Sequence, residues 1–148
     1  MLHFAYCIKR RGSYVQLNAS SPQALDIRTP HNRAALARMV VVLFDLWQIP
    51  VSEQAALLGF SGASRSTLAR YRKGAALEDN VDLLGRVGHL LGIHKALRII
   101  FPANHDLAYR WVRTPNRRFA GKSPLEIMRG GYEGLLAVRR YLDFERGR

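Results

Sequence analysis

The sequence predicts an all-α fold, and three observations support this prediction. After residue 29, apolar residues recur mainly at steps of three and four, the spacing of one helix face. Residues that favour helix starts and helix ends stand at the borders of these periodic stretches. No stretch keeps the alternation of apolar and polar residues that a half-buried strand requires. With 148 residues, 48% of them hydrophobic, the chain can form one ordinary domain or two very small ones.

Residues 1–28 show neither period and are predicted to form a loosely ordered N-terminal arm. The first helical domain, residues 29–102, begins with a long helix that Thr29 caps and that ends before Pro50. Its predicted buried stripe consists of Leu36, Met39, Val40, Leu43, Leu46 and Trp47. Ser52 is predicted to cap a short helix over 53–58, which Gly59 ends.

A second short helix is predicted over residues 65–73, with Ser64 as its cap and Gly74 as its end. The pair of helices has the layout of a helix-turn-helix, whose second helix enters the major groove of DNA. A step of 100° per residue places Leu68 and Tyr71 on the inner face and a polar, basic face opposite. The predicted DNA-binding residues are Arg65, Ser66, Thr67, Arg70 and Lys73. The alternative is an ordinary helical hairpin with a solvated basic face, and the turn from Gly59 to Leu68 is longer than in the tight version of the motif.

The rest of the first domain is predicted to hold two helices. Asp79 opens the first, which Gly92 ends and whose core positions are Val81, Leu84, Val87 and Leu91. A short helix over 93–101 then ends at Pro102. Gly85 and Gly88 are expected to let another backbone approach closely.

The second domain, residues 103–148, is predicted to contain a helix over 106–113, a turn at 114–116 and two further helices. Ser123, Pro124 and Glu126 form a capping box at the start of one of them. The last helix runs over 132–145 and turns Leu135, Val138 and Leu142 inward. Trp111 and Phe119 are predicted core anchors.

The composition excludes several classes of protein. The richest apolar run, Met39–Trp47, is broken by Asp45 and is too short to span a membrane. The apolar stretch Leu2–Ile8 precedes the basic residues 9–11, which reverses the order of a secretion signal, so a cytoplasmic protein is expected. The five histidines and the one cysteine show no metal-binding spacing, and no catalytic motif is present. We therefore predict a protein without catalytic residues, metal or cofactor.

The net charge of +12 attracts polyanions or an acidic protein surface. The basic excess lies on both sides of a neutral stretch, residues 75–102. Much of the C-terminal share is arginine, which suits phosphate and carboxylate equally. Charge alone therefore leaves the choice between a nucleic acid and an acidic protein open.

The C-terminal residues carry a resemblance to a known family. In order they are Trp111, Pro115, Asn116, Phe119, Gly121, Ser123 to Glu126, Gly134 and Val138 to Leu142. This series resembles the toxin-binding domain of Xre/MbcA/ParS-type antitoxins, and residues 34–102 look like the Xre-like helix-turn-helix domain that accompanies it. The resemblance implies a type II antitoxin that binds a cognate RES-domain, NAD-consuming toxin and obstructs its active site. It also implies a homodimer that binds operator DNA and represses its own operon.

The same resemblance assigns toxin-binding residues to the second domain. They are Trp111, Asn116, Phe119, Ser123, Tyr132, Arg140, Tyr141, Phe144, Arg146 and Arg148. Aromatic and arginine side chains at the end of the last helix suit a surface that covers an enzyme. The family typically continues past the glycine that matches Gly147, so obstruction by the helix surface is expected here rather than by a C-terminal tail. The alternatives are a helix-turn-helix regulator without a toxin partner, and a purely structural helical adaptor.

Overall fold

The computed structural model describes residues 26–62 and 65–148, and this part of the chain is all-helical, as predicted. Its seven α-helices are α1 (Pro30–Leu46), α2 (Val51–Leu57), α3 (Arg65–Arg72), α4 (Val81–Ile100), α5 (His105–Trp111), α6 (Pro124–Arg129) and α7 (Tyr132–Arg146). A single 3-10 turn, Arg117–Phe119, precedes α6. The predicted arm lies almost wholly outside the described residues. None of the described helices is long and apolar enough to cross a membrane.

Helix α1 begins as predicted, but its buried face differs from the prediction. The Thr29 hydroxyl accepts a hydrogen bond from the backbone N–H of Asn32 at 3.2 Å, and Pro30 is the first helical residue. The buried residues of α1 are Ala37, Val40, Val41, Leu43 and Phe44. Met39 and Leu46, predicted to be buried, are 53% and 39% exposed. The prediction was wrong there because α3 and α4 cover only one side of α1.

Helix α2 starts two residues earlier than predicted. Pro50 is the N-cap, and its carbonyl accepts hydrogen bonds from the N–H groups of Glu53 and Gln54. Ser52 therefore lies inside the first turn and does not cap the helix. Gly59 follows the helix end with a φ of +77°, the left-handed backbone predicted for it. The predicted cap of α3, Ser64, lies outside the described residues.

Helix α4 departs most from the sequence-based expectation. Asn80, not Asp79, caps it, accepting from the N–H of Leu83 at 3.0 Å. Val81, predicted to be buried, is 72% exposed. The helix also continues through Gly92 to Ile100 instead of ending at Gly92.

The glycines of α4 make room for side chains of α7. A Cβ atom at Gly92 would overlap the guanidinium of Arg139, and one at Gly85 would overlap the hydroxyl of Tyr132. Nothing lies within 4 Å of a Cβ at Gly88. The expectation that Gly85 and Gly88 admit another backbone was therefore wrong, since α4 and α7 interlock through side chains.

The last two helices begin and pack as predicted. The Ser123 hydroxyl accepts from the N–H of Glu126 at 3.2 Å, and the Glu126 carboxylate accepts from the N–H of Ser123 at 2.7 Å. Leu135, Val138 and Leu142 of α7 are buried, and α7 packs along α4 and against α6. One hydrophobic core runs without interruption from Ala37 in α1 to Leu142 in α7. Both predicted domains therefore share this core.

Gly134 provides a test of the α6–α7 packing. A Cβ atom there would overlap the backbone carbonyl of Ile127, which cannot rotate away. We expect Gly134→Ala to lower the free energy of unfolding by about 1–3 kcal/mol, the usual cost of overpacking. Gly88→Ala is the matched control: the site is open, and alanine should raise the free energy of unfolding by about 0.5–1 kcal/mol. Urea denaturation measures both, and equal effects of the two substitutions would contradict this account.

Candidate functional site

Helix α3 presents a polar, basic face to solvent. Its apolar residues Leu68 and Tyr71 are each 2% exposed, and α3 packs against α1. Of the predicted DNA-binding residues, Arg65, Ser66, Arg70 and Lys73 are exposed and Thr67 is half-buried. The structure therefore places four of the five on the outward side of α3 or just after it, with Thr67 at the flank of that side.

An ion pair that the sequence analysis missed ties α3 to α1. The Arg72 guanidinium donates two hydrogen bonds to the Asp45 carboxylate, Nη1 to Oδ2 at 2.6 Å and Nη2 to Oδ1 at 2.8 Å. These bonds from Arg72 lower the pKa of Asp45, and the same bonds raise the pKa of Arg72. A bidentate pair fixes orientation as well as distance, so Arg72 positions α3. The one available signal was that Asp45 interrupts an apolar run and so required a partner.

The C-terminal helices contact the helix-turn-helix directly. Arg129 of α6 forms an ion pair with Glu53 of α2. Arg113, just after α5, donates a hydrogen bond to the side chain of Gln48, just after α1, at 2.9 Å. The second domain thus contacts both Gln48, where the connection from α1 to α2 begins, and Glu53, in the first turn of α2.

Three aromatic residues predicted to bind a toxin form one half-buried cluster. The rings of Trp111 and Tyr141 stack with centroids 6.2 Å apart and planes 8° apart. Phe119 meets the Tyr141 ring edge-on at 5.4 Å, and the Arg118 guanidinium lies 5.6 Å from the same ring. Trp111 and Phe119 pack against the core, which agrees with their predicted role as anchors. The cluster fixes α7 against the segment between α5 and α6.

Three other residues of that set have roles in local structure. The Asn116 side chain accepts from the N–H of Arg118 at 2.9 Å and so caps the 3-10 turn. Ser123 is buried in its capping box. The ring of Tyr132 contacts His89 edge-on at 5.4 Å, and burial, aided by the charge of Arg139, lowers the pKa of His89. These residues shape the domain from within.

The remaining residues of the set lie on α7 and just after its end. Phe144 is 60% exposed, and Arg140, Arg146 and Arg148 are exposed as well. Arg146 and Arg148 form ion pairs with Asp143 and Glu145 of α7. Arg148 lies 5.8 Å from the Phe144 ring. We call Phe144 and the three arginines Arg140, Arg146 and Arg148 the α7 pad. Aromatic and arginine side chains are the types enriched at the centres of protein interfaces.

The described residues hold no group of three His, Cys, Asp or Glu side chains that is placed to bind a metal ion. His94 is partly buried, and its ring stacks on Tyr109 with centroids 6.0 Å apart. Burial and then the charge of Arg98 lower its pKa. The neighbours of His94 are thus an aromatic ring and a cation. Among the described residues no carboxylate forms a hydrogen bond or ion pair with His94.

Comparison with known families gives matches that together cover all of the described residues. Residues 26–95 match the family model of the antitoxin Xre-like helix-turn-helix domain, and residues 96–148 match that of the antitoxin Xre/MbcA/ParS C-terminal toxin-binding domain. The two matches meet inside α4. The chain is also similar to the uncharacterized protein y4oB of Sinorhizobium fredii (strain NBRC 101917 / NGR234), with 37% identity over 133 residues that cover 88% of this chain and 96% of the relative.

The Arg72–Asp45 pair is testable by a double-mutant cycle with Arg72→Ala, Asp45→Ala and the combined variant. Because both side chains are partly exposed, we expect a coupling of about 0.2–1 kcal/mol in the free energy of unfolding at neutral pH. The folded-state pKa of Asp45 lies below its ordinary value of 3.8. The coupling is therefore complete above that value and is lost as the pH falls through the folded-state pKa. Absence of coupling at neutral pH would mean that the pair does not position α3.

Proposed function

The chain belongs to the Xre/MbcA/ParS antitoxin family, with a helix-turn-helix for DNA and a toxin-binding domain, and we propose that its partner is a RES-domain, NAD-consuming toxin. The antitoxin neutralises this toxin by covering its active site and represses its own operon by binding operator DNA as a homodimer in the cytoplasm. The observation that carries the proposal is that the two family matches each contain a separate exposed surface, the basic face of α3 and the α7 pad.

DNA binding in this proposal uses the outward side of α3. Arg65, Ser66 and Thr67 stand in the first turn, the part of a recognition helix that lies nearest the base edges. Arg70 and Lys73 reach phosphate oxygens or guanine from the end of the helix. The bidentate pair with Asp45 supports this use because it holds α3 at a fixed angle on α1.

Toxin binding in this proposal uses the α7 pad. Phe144 supplies a large apolar surface, and the arginines of the pad suit carboxylates at the mouth of an enzyme's active site. A helix surface held by a packed aromatic cluster loses little conformational freedom on binding. The aromatic cluster of Trp111, Phe119 and Tyr141 packs α7 against the preceding segment and so positions the pad. The local structure of the domain is stabilised by Asn116, Ser123 and Tyr132.

We propose the domain division of residues 29–102 and 103–148 as a functional one, between DNA and toxin. The two family matches meet at residues 95–96, inside α4, and the hydrophobic core runs through both parts. In this proposal the two parts bind different partners, DNA and toxin, although they share one hydrophobic core.

The toxin assignment is tested by co-expression with the product of the neighbouring gene. We expect that product alone to stop growth and lower cellular NAD, and the antitoxin to restore both and to co-purify with it. Phe144→Ala should weaken toxin binding roughly tenfold to thirtyfold, as loss of a buried interface aromatic does. Val81→Ala is the control, because it truncates another exposed apolar residue on a different helix.

The outcomes separate the parts of this proposal. A complex that forms without any effect of the toxin on NAD would remove the RES assignment and keep the antitoxin. Wild-type affinity for Phe144→Ala, with an unchanged melting temperature, would remove the α7 pad as the toxin-binding surface.

Operator binding is tested with the double variant Arg70→Ala and Lys73→Ala. Loss of two phosphate or base contacts should weaken operator affinity and lower the slope of log Kd against log salt by about one per lost phosphate contact. The matched control is Arg140→Ala with Arg146→Ala, which removes the same charge from exposed sites on α7. If both double variants lose equal affinity, binding reflects net charge and not the α3 face.

A further inference from the structure

Three large apolar side chains are exposed on the side of α1 opposite its buried face. Met39, Val42 and Leu46 are 53%, 55% and 39% exposed, and their spacing of three and four residues places them in one row, the α1 stripe. With Leu91 and His94 of α4 they line a shallow groove of about 320 Å³. A row of apolar side chains along one helix face is the pattern of a face that packs against another helix.

The charges beside the α1 stripe indicate what covers it. Arg38 and Asp45 lie on the same edge of the stripe, since seven residues make nearly two helical turns. Within residues 26–62 and 65–148, Arg38 forms no ion pair. The Asp45 side chain is 56% exposed although it binds Arg72, and a carboxylate offers about four acceptor positions. A surface complementary to the α1 stripe therefore has a row of apolar side chains, with an anion opposite Arg38 and a cation opposite Asp45.

A second copy of α1, running in the opposite direction, is such a surface. When two copies pack antiparallel about a two-fold axis at Val42, each Val42 faces the partner's Val42. Arg38 then lies within about 1.5 Å, along the helix axis, of the level of the partner's Asp45. A parallel two-fold pair would instead place Arg38 and the partner's Asp45 on opposite edges of the contact, so neither Arg38–Asp45 pair would form.

We propose that the α1 stripe is the contact surface of an antiparallel homodimer, centred on Val42 and flanked by two Arg38–Asp45 ion pairs. This inference rests on the proposed operator binding, because a two-fold pair presents two α3 helices to two half-sites. Asp45 then belongs to both contacts, to Arg72 in its own chain and to the partner's Arg38. A contact centred on three side chains is small beside the roughly 800 Å² that each partner buries in a stable interface. The dimer therefore dissociates on dilution.

Self-cross-linking tests the geometry directly. In a Cys7→Ser background, Val42→Cys should form an intermolecular disulfide under mild oxidation, because a residue on a two-fold axis lies beside its own copy. Val81→Cys in the same background is the control: it is more exposed, at 72%, and lies at the start of α4, away from the groove. We expect a covalent dimer for the first variant at least tenfold faster than for the second. Equal rates, or no dimer for Val42→Cys, would overturn the proposal.

Sedimentation of the full chain without toxin or DNA gives the second readout. The wild-type mass should rise from monomer towards dimer with concentration, and Val42→Asp should weaken the association at least tenfold, while Val81→Asp leaves it unchanged. Circular dichroism confirms that both variants fold. A wild-type monomer at every concentration, or a dimer that Val42→Asp leaves intact, would overturn the proposal.

The other occupants of the stripe give distinct results. If residues 1–25 cover it, or if the toxin does, Val42→Asp leaves the mass of the free chain unchanged, and the proposal is wrong. In the toxin case the same variant also loses toxin capture. Since these measurements omit DNA, their failure is separable from failure of operator binding, which the Arg70 and Lys73 variant reports.

Discussion

The packing of α4 is the constraint on which the rest of the structure depends. This helix runs unbroken over 20 residues, with α1 on one side and α7 on another. It accommodates α7 because Gly85 and Gly92 leave space for Tyr132 and Arg139. Since the two family matches meet within α4, one rigid rod belongs to both functional parts. The DNA-binding and toxin-binding parts therefore stand in a fixed relation.

Two classes of residue emerge among those with which the family is recognised. Ser123, Asn116 and Gly134 act through backbone geometry: a capping box, a 3-10 cap and a close approach to the Ile127 carbonyl. Exposed residues such as Phe144, the largest exposed apolar side chain of the described residues, do not form these caps or close backbone contacts. Much of the residue pattern by which the family is recognised therefore stabilises the fold of the domain. Only the exposed residues of that pattern can contact a partner.

Local signals in the sequence were sufficient for much of the fold and for the orientation of α3. Thr29, Gly59 and the capping box at Ser123 mark their helix borders correctly because caps depend on a few adjacent residues. The continuation of α4 through Gly92 was not predictable, since the glycine is required by a side chain 47 positions away in α7. The Arg72–Asp45 pair and the exposure of Met39 were missed for the same reason: both depend on which helix covers which face.

The ion pair between Arg129 of α6 and Glu53 of α2 gives the two parts of the chain a direct contact in addition to the shared helix α4. Glu53 lies on the helix that precedes the recognition helix, and Arg129 lies directly before the helix that carries the pad. A ligand that shifts one of these helices changes the energy of the other. Linkage is reciprocal: whatever factor the toxin imposes on affinity for DNA, DNA imposes on affinity for the toxin.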